Sequence, residues 1–249
     1  MSAWQVVGAS VRGPDHAREG SPGQDAWARG LFGGRGACVC LCDGAGSASH
    51  AEVGARVVAD AVVAALAEAP AGESAATETL RRACAAGRAA LLQRAADLAV
   101  APTALACTLV AAVCMDGWVA VAHLGDGAVV GRRADDGELA LLSAPDRGEY
   151  VNETWFVTSA AWATHLRIGV HDEISALCVV TDGCQEASLV RGDRGSPFAP
   201  FFAPLFDFTA EVSDLAAADA EVLRLLDGAA MRGSSGDDKT LAIAWLTSP

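Results

Sequence analysis

Apolar residues along the chain fall into short unbroken runs and longer segments of helical spacing, and glycine and aspartate punctuate the boundaries. Residues 4–11 predict a first strand, followed by a loop rich in Gly, Pro and charge over 12–24. Residues 37–42 are apolar throughout and stop abruptly at Asp43-Gly44, as a strand buried on both faces would. Residues 51–67 carry apolar positions at helical spacing until Pro70 and Gly72, and 74–98 predict a second helix, with Pro102 closing that region. Three runs then follow, 105–115, 118–124 and 128–133. They are divided by Asp116-Gly117 and Gly125-Asp126-Gly127, a meander of hairpins, and 139–142 add a fourth strand. Residues 143–158 show no clear period. Strands are expected again at 165–170 and 176–181, a loop or flap at 191–208, a helix at 212–226 and a last strand at 240–246.

Helices therefore come in pairs and strands in meanders. The β-α-β alternation of a parallel sheet is absent, which predicts an α+β fold, antiparallel sheets with helices packed outside. The 249 residues suit one domain spanning 1–249, long enough for a sizeable core.

Charge narrows the functional classes. The formal net charge is −13, from 31 acids and 18 bases, and no Lys/Arg stripe runs along the chain, so nucleic-acid binding is not expected. The longest uncharged apolar stretch, 104–115, is too short to cross a bilayer. Residues 1–10 lack the basic and apolar regions of a signal peptide, and the expected compartment is the cytoplasm. The eight cysteines contain no CxxC pair; Cys38, Cys40 and Cys42 alternate along one strand, share a face, and are read as reduced core thiols. His123, His165 and the six tryptophans are read as packing residues.

The informative acids sit at strand ends beside glycine: Asp43-Gly44, Gly125-Asp126-Gly127, Asp182-Gly183 and Gly236-Asp237-Asp238, with Asp25 after the first loop. Any one Asp-Gly pair is ordinarily a tight turn. Several of them, each ending an apolar strand, project carboxylates from a rigid scaffold. Hard divalent cations take such oxygen ligands, and two ions together can bind a phosphate and acidify a water.

In order and spacing, Gln24-Asp25-Ala26, Asp43-Gly44-Ala45-Gly46, Gly125-Asp126-Gly127, Thr181-Asp182-Gly183 and Asp237-Asp238-Lys239-Thr240 resemble the PP2C-type (PPM) metal-dependent protein serine/threonine phosphatases. A segment like 149–154 points to their compact bacterial branch. The resemblance implies a β-sandwich flanked by helices in four αββα layers. It implies two Mn²⁺ or Mg²⁺ ions at one end of the sandwich and a metal-activated water that attacks phosphoserine or phosphothreonine. On the same footing, Asp43 would bridge the ions, the Gly44 carbonyl would bind one, and Asp182 and Asp237 (chosen over Asp238) would complete the other. Asp25 would act from behind through metal-held water, and Asp126 matches the position of a third ion. A phosphorylated protein is the implied substrate, a cognate Ser/Thr kinase the implied counterpart, and a monomer the expected state.

Two departures stand out. Ala45 occupies a position where many relatives carry a histidine able to protonate the leaving oxygen; His50 is near in sequence but reads as a surface residue at a helix start. For the phosphate-binding arginine that the resemblance implies in the first loop, Arg12 is preferred as nearest the strand end, with His16 and Arg18 as alternatives that the loop does not exclude. Against the phosphatase stand a non-catalytic regulatory protein on the same fold and a hydrolase of small phosphorylated molecules.

Overall fold

The computed structural model describes residues 2–68, 72–146, 154–190 and 195–247. The strands are β1 Trp4–Val11, β2 Ala26–Phe32, β3 Gly36–Cys42, β4 Leu109–Met115, β5 Trp118–Leu124, β6 Ala128–Arg133, β7 Leu139–Ser143, β8 Arg167–Asp172, β9 Ile174–Val180 and β10 Lys239–Leu246. The helices are α1 Pro14–Glu19, α2 Ala51–Glu68, α3 Ala76–Asp97, α4 Trp162–His165, α5 Gln185–Ser188, α6 Ala199–Phe208, α7 Leu215–Leu226 and α8 Ala229–Ser234. None of the described helices is long and apolar enough to cross a membrane.

Two five-stranded sheets form, in the orders β1-β10-β9-β6-β7 and β2-β3-β4-β5-β8. Each pairing between neighbours is antiparallel. The sheets stack on Trp4, Val6, Val39, Leu41, Val110, Val121, Leu177 and Ala242, all buried. Helices α2 and α3 cover the outer face of one sheet through Val58, Val62, Leu66, Leu80 and Leu91, against Cys38, Cys40 and Cys42. Helices α6 and α7 cover the other through Phe202, Phe206, Val222 and Leu226, against Val7, Leu241 and Ile243. Because every central strand is covered on both faces, both sets of alternating side chains must be apolar, and the strands read as continuous runs. The three alternating cysteines share one face, as their spacing required, and that face meets the helices; all eight cysteines are free and buried. The architecture is the expected α+β sandwich in four layers.

The local differences have physical causes. The run expected from 105 begins as strand only at Leu109, because Pro102–Leu105 form a 3-10 turn. Strand β8 starts two residues late, after the turn of α4. Strand β2 escapes the hydrophobic pattern because Arg29 sits within it; its guanidinium pairs with Asp219 of α7 at 2.8 Å, and Arg29 also donates to the Val6 carbonyl at 2.6 Å. The flap expected at 191–208 is corrected in part: 199–208 is helix, in spite of Pro204, because Phe202, Leu205 and Phe206 are buried against the sheet. Residues 191–194, and 149–153 of the branch-like segment, lie outside the described residues. Among the packing residues, His123 is fully buried, Trp4, Trp118 and Trp245 are core, and His165 stacks on Trp155 with ring centroids 3.6 Å apart.

One contact ties the helical layer to the sheet ends. A Cβ on Gly54 of α2 would stand 2.0 Å from the Leu105 carbonyl oxygen, which only a missing side chain allows. Gly54→Ala is expected to cost about 1–3 kcal/mol through backbone displacement, in the range of overpacked cores. Urea unfolding of the variant measures it, and a loss within error of zero would mean that the turn yields freely.

Candidate metal centre

The ends of β3, β5 and β9 meet where the two sheets open at one edge. Asp43 follows β3, and its backbone is pinned to the segment before β4: Thr108 N–H donates to the Asp43 carbonyl at 2.8 Å, and Asp43 N–H donates to Thr108 Oγ1 at 3.1 Å. Asp126 lies in the turn between β5 and β6, where Gly125 adopts φ +113°, a left-handed conformation that favours glycine. Asp182 follows β9, and the next residue has no room for a side chain, since a Cβ on Gly183 would lie 1.9 Å from the Asp238 carbonyl oxygen. These three strand ends bring carboxylate oxygens of Asp43, Asp126 and Asp182 within 4.8 Å of one another. They line a cavity of about 190 Å³ together with Gly44, Ala45, Gln24 and Asp237.

Asp237 reaches the same cavity from the loop before β10, although it is exposed and its carboxylate groups more closely with Asp238 and His16. Asp238 is only 2% exposed. It accepts from Gly13 N–H at 2.6 Å and from Gln24 N–H at 2.5 Å, and His16 Nδ1 stands 3.0 Å from it. Asp238 thus fastens the first loop to the last strand and turns away from the cavity. Lys239, the only lysine, is buried and donates to the carbonyls of Ser235 and Asp237, not to a carboxylate.

Asp25 does not line the cavity. It lies behind it, accepting from the hydroxyls of Thr181 and Thr240 at 2.8 Å each. Arg12 is exposed and donates to the Ser21 carbonyl at 3.3 Å. Arg18 pairs with Asp15 on the surface. None of Arg12, His16 and Arg18 lines the cavity. Sequence reasoning did not single out Gln24, Thr108, Thr154 or Phe156. Thr154 donates to Asp126 Oδ2 at 2.8 Å and Phe156 forms an apolar wall with Ala45 and Ala48. Gln24 precedes a motif aspartate and gave a weak signal, Thr154 ends the branch-like segment 149–154 but carried no role there, and Phe156 gave none.

The electrostatics call for a cation. Burial pushes Asp25 from 3.8 up to about 8, with the neighbouring Asp238 and Asp182 adding to it against the two hydroxyl donors. Burial also raises Asp43 far above the carboxylate range, helped by the charges of Asp25 and Asp182. Asp182 rises to about 6, from burial and from the charges of Asp126 and Asp237, partly offset by its hydrogen bond with Asp43. Asp182 Oδ1 is buried with no hydrogen-bond partner, and Gln24 Oε1 is in the same state. Crowded carboxylate oxygens and an orphaned oxygen, with no ammonium or guanidinium lining the cavity among the described residues, form a donor set that fits hard divalent cations.

These shifts predict a pH dependence for the metal-free protein. Between about pH 4 and pH 8 the folded state binds more protons at Asp25 and Asp182 than the unfolded state does, so stability falls as pH rises through that window. Saturating divalent cation should flatten the fall. Thermal midpoints measured across that range with and without chelator check it, and a metal-free midpoint that rises with pH would contradict the assignment.

Residues 12–227 match the family model described as Protein phosphatase 2C, and the chain belongs to that family. The fold is similar to a crystal structure of a bacterial serine phosphatase, with 15% identity, 98% of each chain covered and a TM-score of 0.71. It is also similar to the catalytic domain of the serine/threonine phosphatase PstP in complex with two manganese ions, with 18% identity, 100% of each chain covered and a TM-score of 0.69. Stp1 of Staphylococcus aureus aligns at 15% identity over 100% of this chain and 96% of its own, with a TM-score of 0.67. At such identities the likeness is one of fold. No curated protein matches by sequence comparison.

Proposed function

We propose that this chain is a protein serine/threonine phosphatase that hydrolyses phosphoserine and phosphothreonine with two Mn²⁺ or Mg²⁺ ions held at the strand ends. The observation that carries the reading is the convergence of carboxylate oxygens of Asp43, Asp126 and Asp182 within 4.8 Å, in a cavity that no cationic side chain lines among the described residues. A cluster that costs this much to fold without metal has a physical reason to exist only if it binds one. The manganese in the similar PstP structure supports the same ion type.

In this reading Asp43 and the Gly44 carbonyl serve one ion, Asp43, Asp182 and Asp237 the other, and Asp126 a third. Asp25 acts from behind. Bound there, the cations supply positive charge to the phosphoryl oxygens and acidify the attacking water. The protein's own part is to hold the ligands still. Gly183 and Gly44 admit close backbone packing, Asp238 locks the first loop, and Thr154 holds the side chain of Asp126. Arg12, tied to one carbonyl among the described residues, can swing to meet a phosphate. The substrate is a phosphoprotein, the counterpart a Ser/Thr kinase, the state monomeric and the compartment the cytoplasm.

The test is a titration with Mn²⁺ and Mg²⁺ of the chelated protein, assayed on a phosphothreonine peptide and on a small alkyl phosphate. Metal-dependent release of phosphate from the peptide, with a raised thermal midpoint, is the expected result. A raised midpoint with no turnover would mark a binding protein on the same fold. Turnover of the small ester alone would mark a small-molecule hydrolase.

A further inference from the structure

A second cavity, of about 240 Å³, opens where β7 and β8 close the free edges of the two sheets, and it shares no lining residue with the metal centre. Its walls are Val121, Leu142 and Ile168, and its polar groups include Ser143 and Arg167. Arg167 is half-buried and is not paired with a carboxylate among the described residues. One of its nitrogens, Nη2, donates to the Ala144 carbonyl at 2.7 Å and to His123 Nδ1 at 3.0 Å. Its Nε is buried with no partner. Asp146 favours the charged guanidinium from beyond ion-pair distance.

His123 fixes the chemistry of this corner. The ring is fully buried, and burial, then the Arg167 charge, lowers it to about 3, so it is neutral. A guanidinium can only donate, so Nδ1 facing Arg167 presents its lone pair, and two groups compete for it: the Arg167 N–H and the Ser143 hydroxyl, whose oxygen is 2.8 Å away. A nitrogen lone pair accepts one good hydrogen bond. The guanidinium is planar and cannot redirect a single N–H, whereas the hydroxyl rotates freely. Ser143 can thus turn its proton into the cavity beside the guanidinium.

We propose that this cavity is a binding site for a small oxyanion, a carboxylate or a phosphate, whose head group pairs with Arg167 and Ser143. A half-buried guanidinium with an unused donor and no carboxylate paired with it among the described residues is incompletely compensated, and an anion supplies the missing partner. The apolar walls accommodate a short carbon chain behind a carboxylate; a bare phosphate would use the polar end alone.

The experiment is calorimetric titration of the full chain, in Mg²⁺, with butyrate, inorganic phosphate and butyramide as the uncharged control, each repeated as a thermal-shift series. Wild-type protein is expected to bind at least one anion and not butyramide. Stronger butyrate than phosphate assigns a carboxylate, and the reverse a phosphate. Arg167→Gln should weaken the binding by about tenfold or more, the worth of a charge-assisted hydrogen bond. Ala144→Leu, which fills the cavity and keeps the charge, should weaken it as well, and it decides the matter if Arg167→Gln does not fold. Absence of anion binding, equal binding of butyramide, or anion binding that both folded variants retain (as it would at the metal centre) overturns the proposal.

Discussion

Asp182→Asn is expected to lower turnover by more than about 100-fold, beyond what losing an outer partner of a metal ligand costs, while the metal-free protein becomes more stable. The two effects share one cause. Asp182 Oδ1 is buried without a partner, and the carboxylate sits among Asp43, Asp126 and Asp237. Its rise from 3.8 to about 6 corresponds at neutral pH to roughly 3 kcal/mol at most, carried as strain in the absence of a cation. An asparagine removes that charge, fills the same volume and can donate to Asp43. The thermal midpoint in chelator should then rise by several degrees, at about 2–4 °C per kcal/mol for a chain of this size. In saturating Mn²⁺ the order should reverse, because the wild type gains the ion and the variant does not. Midpoints in both conditions, beside turnover of a phosphopeptide, separate a metal ligand from a structural aspartate. Undiminished turnover by a well-folded variant would remove Asp182 from the metal centre.

Much of this arrangement is legible in the amino-acid sequence. The run at 37–42 announces a strand covered on both faces and that at 118–124 a strand of a hairpin meander, and the Asp-Gly pairs that end them mark where the sheets open. The alternation of Cys38, Cys40 and Cys42 put the three on one face of β3, and the structure shows that face to be the one under the helices. What escaped is what depends on distant partners. Arg29 hides β2 because its counter-charge, Asp219, is 190 residues away. The phenylalanines of α6 looked like a loop because Pro204 argues against helix locally, and only the sheet beneath them outweighs it. At the site the same limit applies. The strand ends could be enumerated, but which carboxylates meet follows from how two twisted sheets stack, and stacking brings Asp126 close to Asp43 and Asp182 while Asp237 stands at the exposed side. The buried role of Asp238, joining Gly13 and Gln24, has no signature in its own neighbourhood.

Ala45 offers the second large effect. It lines the metal-centre cavity and packs with Ala48, Ala51 and Ala106, beside Phe156. The wall of the cavity at this point is therefore apolar and holds no proton to give. His50 does not replace it, since its Nδ1 bonds the Ser49 hydroxyl and the residue does not line the cavity. A departing seryl oxygen needs a proton, whereas a nitrophenolate leaves without one. General-acid help is worth about 10²–10⁴-fold. Rates on a series of aryl and alkyl phosphates should thus fall steeply as leaving-group pKa rises. Ala45→His faces open cavity on one side, so the ring can enter without displacing the alanines behind it. It should flatten that dependence, raising phosphopeptide turnover by about tenfold or more, the lower part of that range since the proton donor is not yet tuned. Turnover of p-nitrophenyl phosphate should hardly change. Identical slopes for the two proteins would show that another group already delivers the proton. The hydroxyl of Thr154, 2.8 Å from Asp126 in the same cavity, would then be the first to replace.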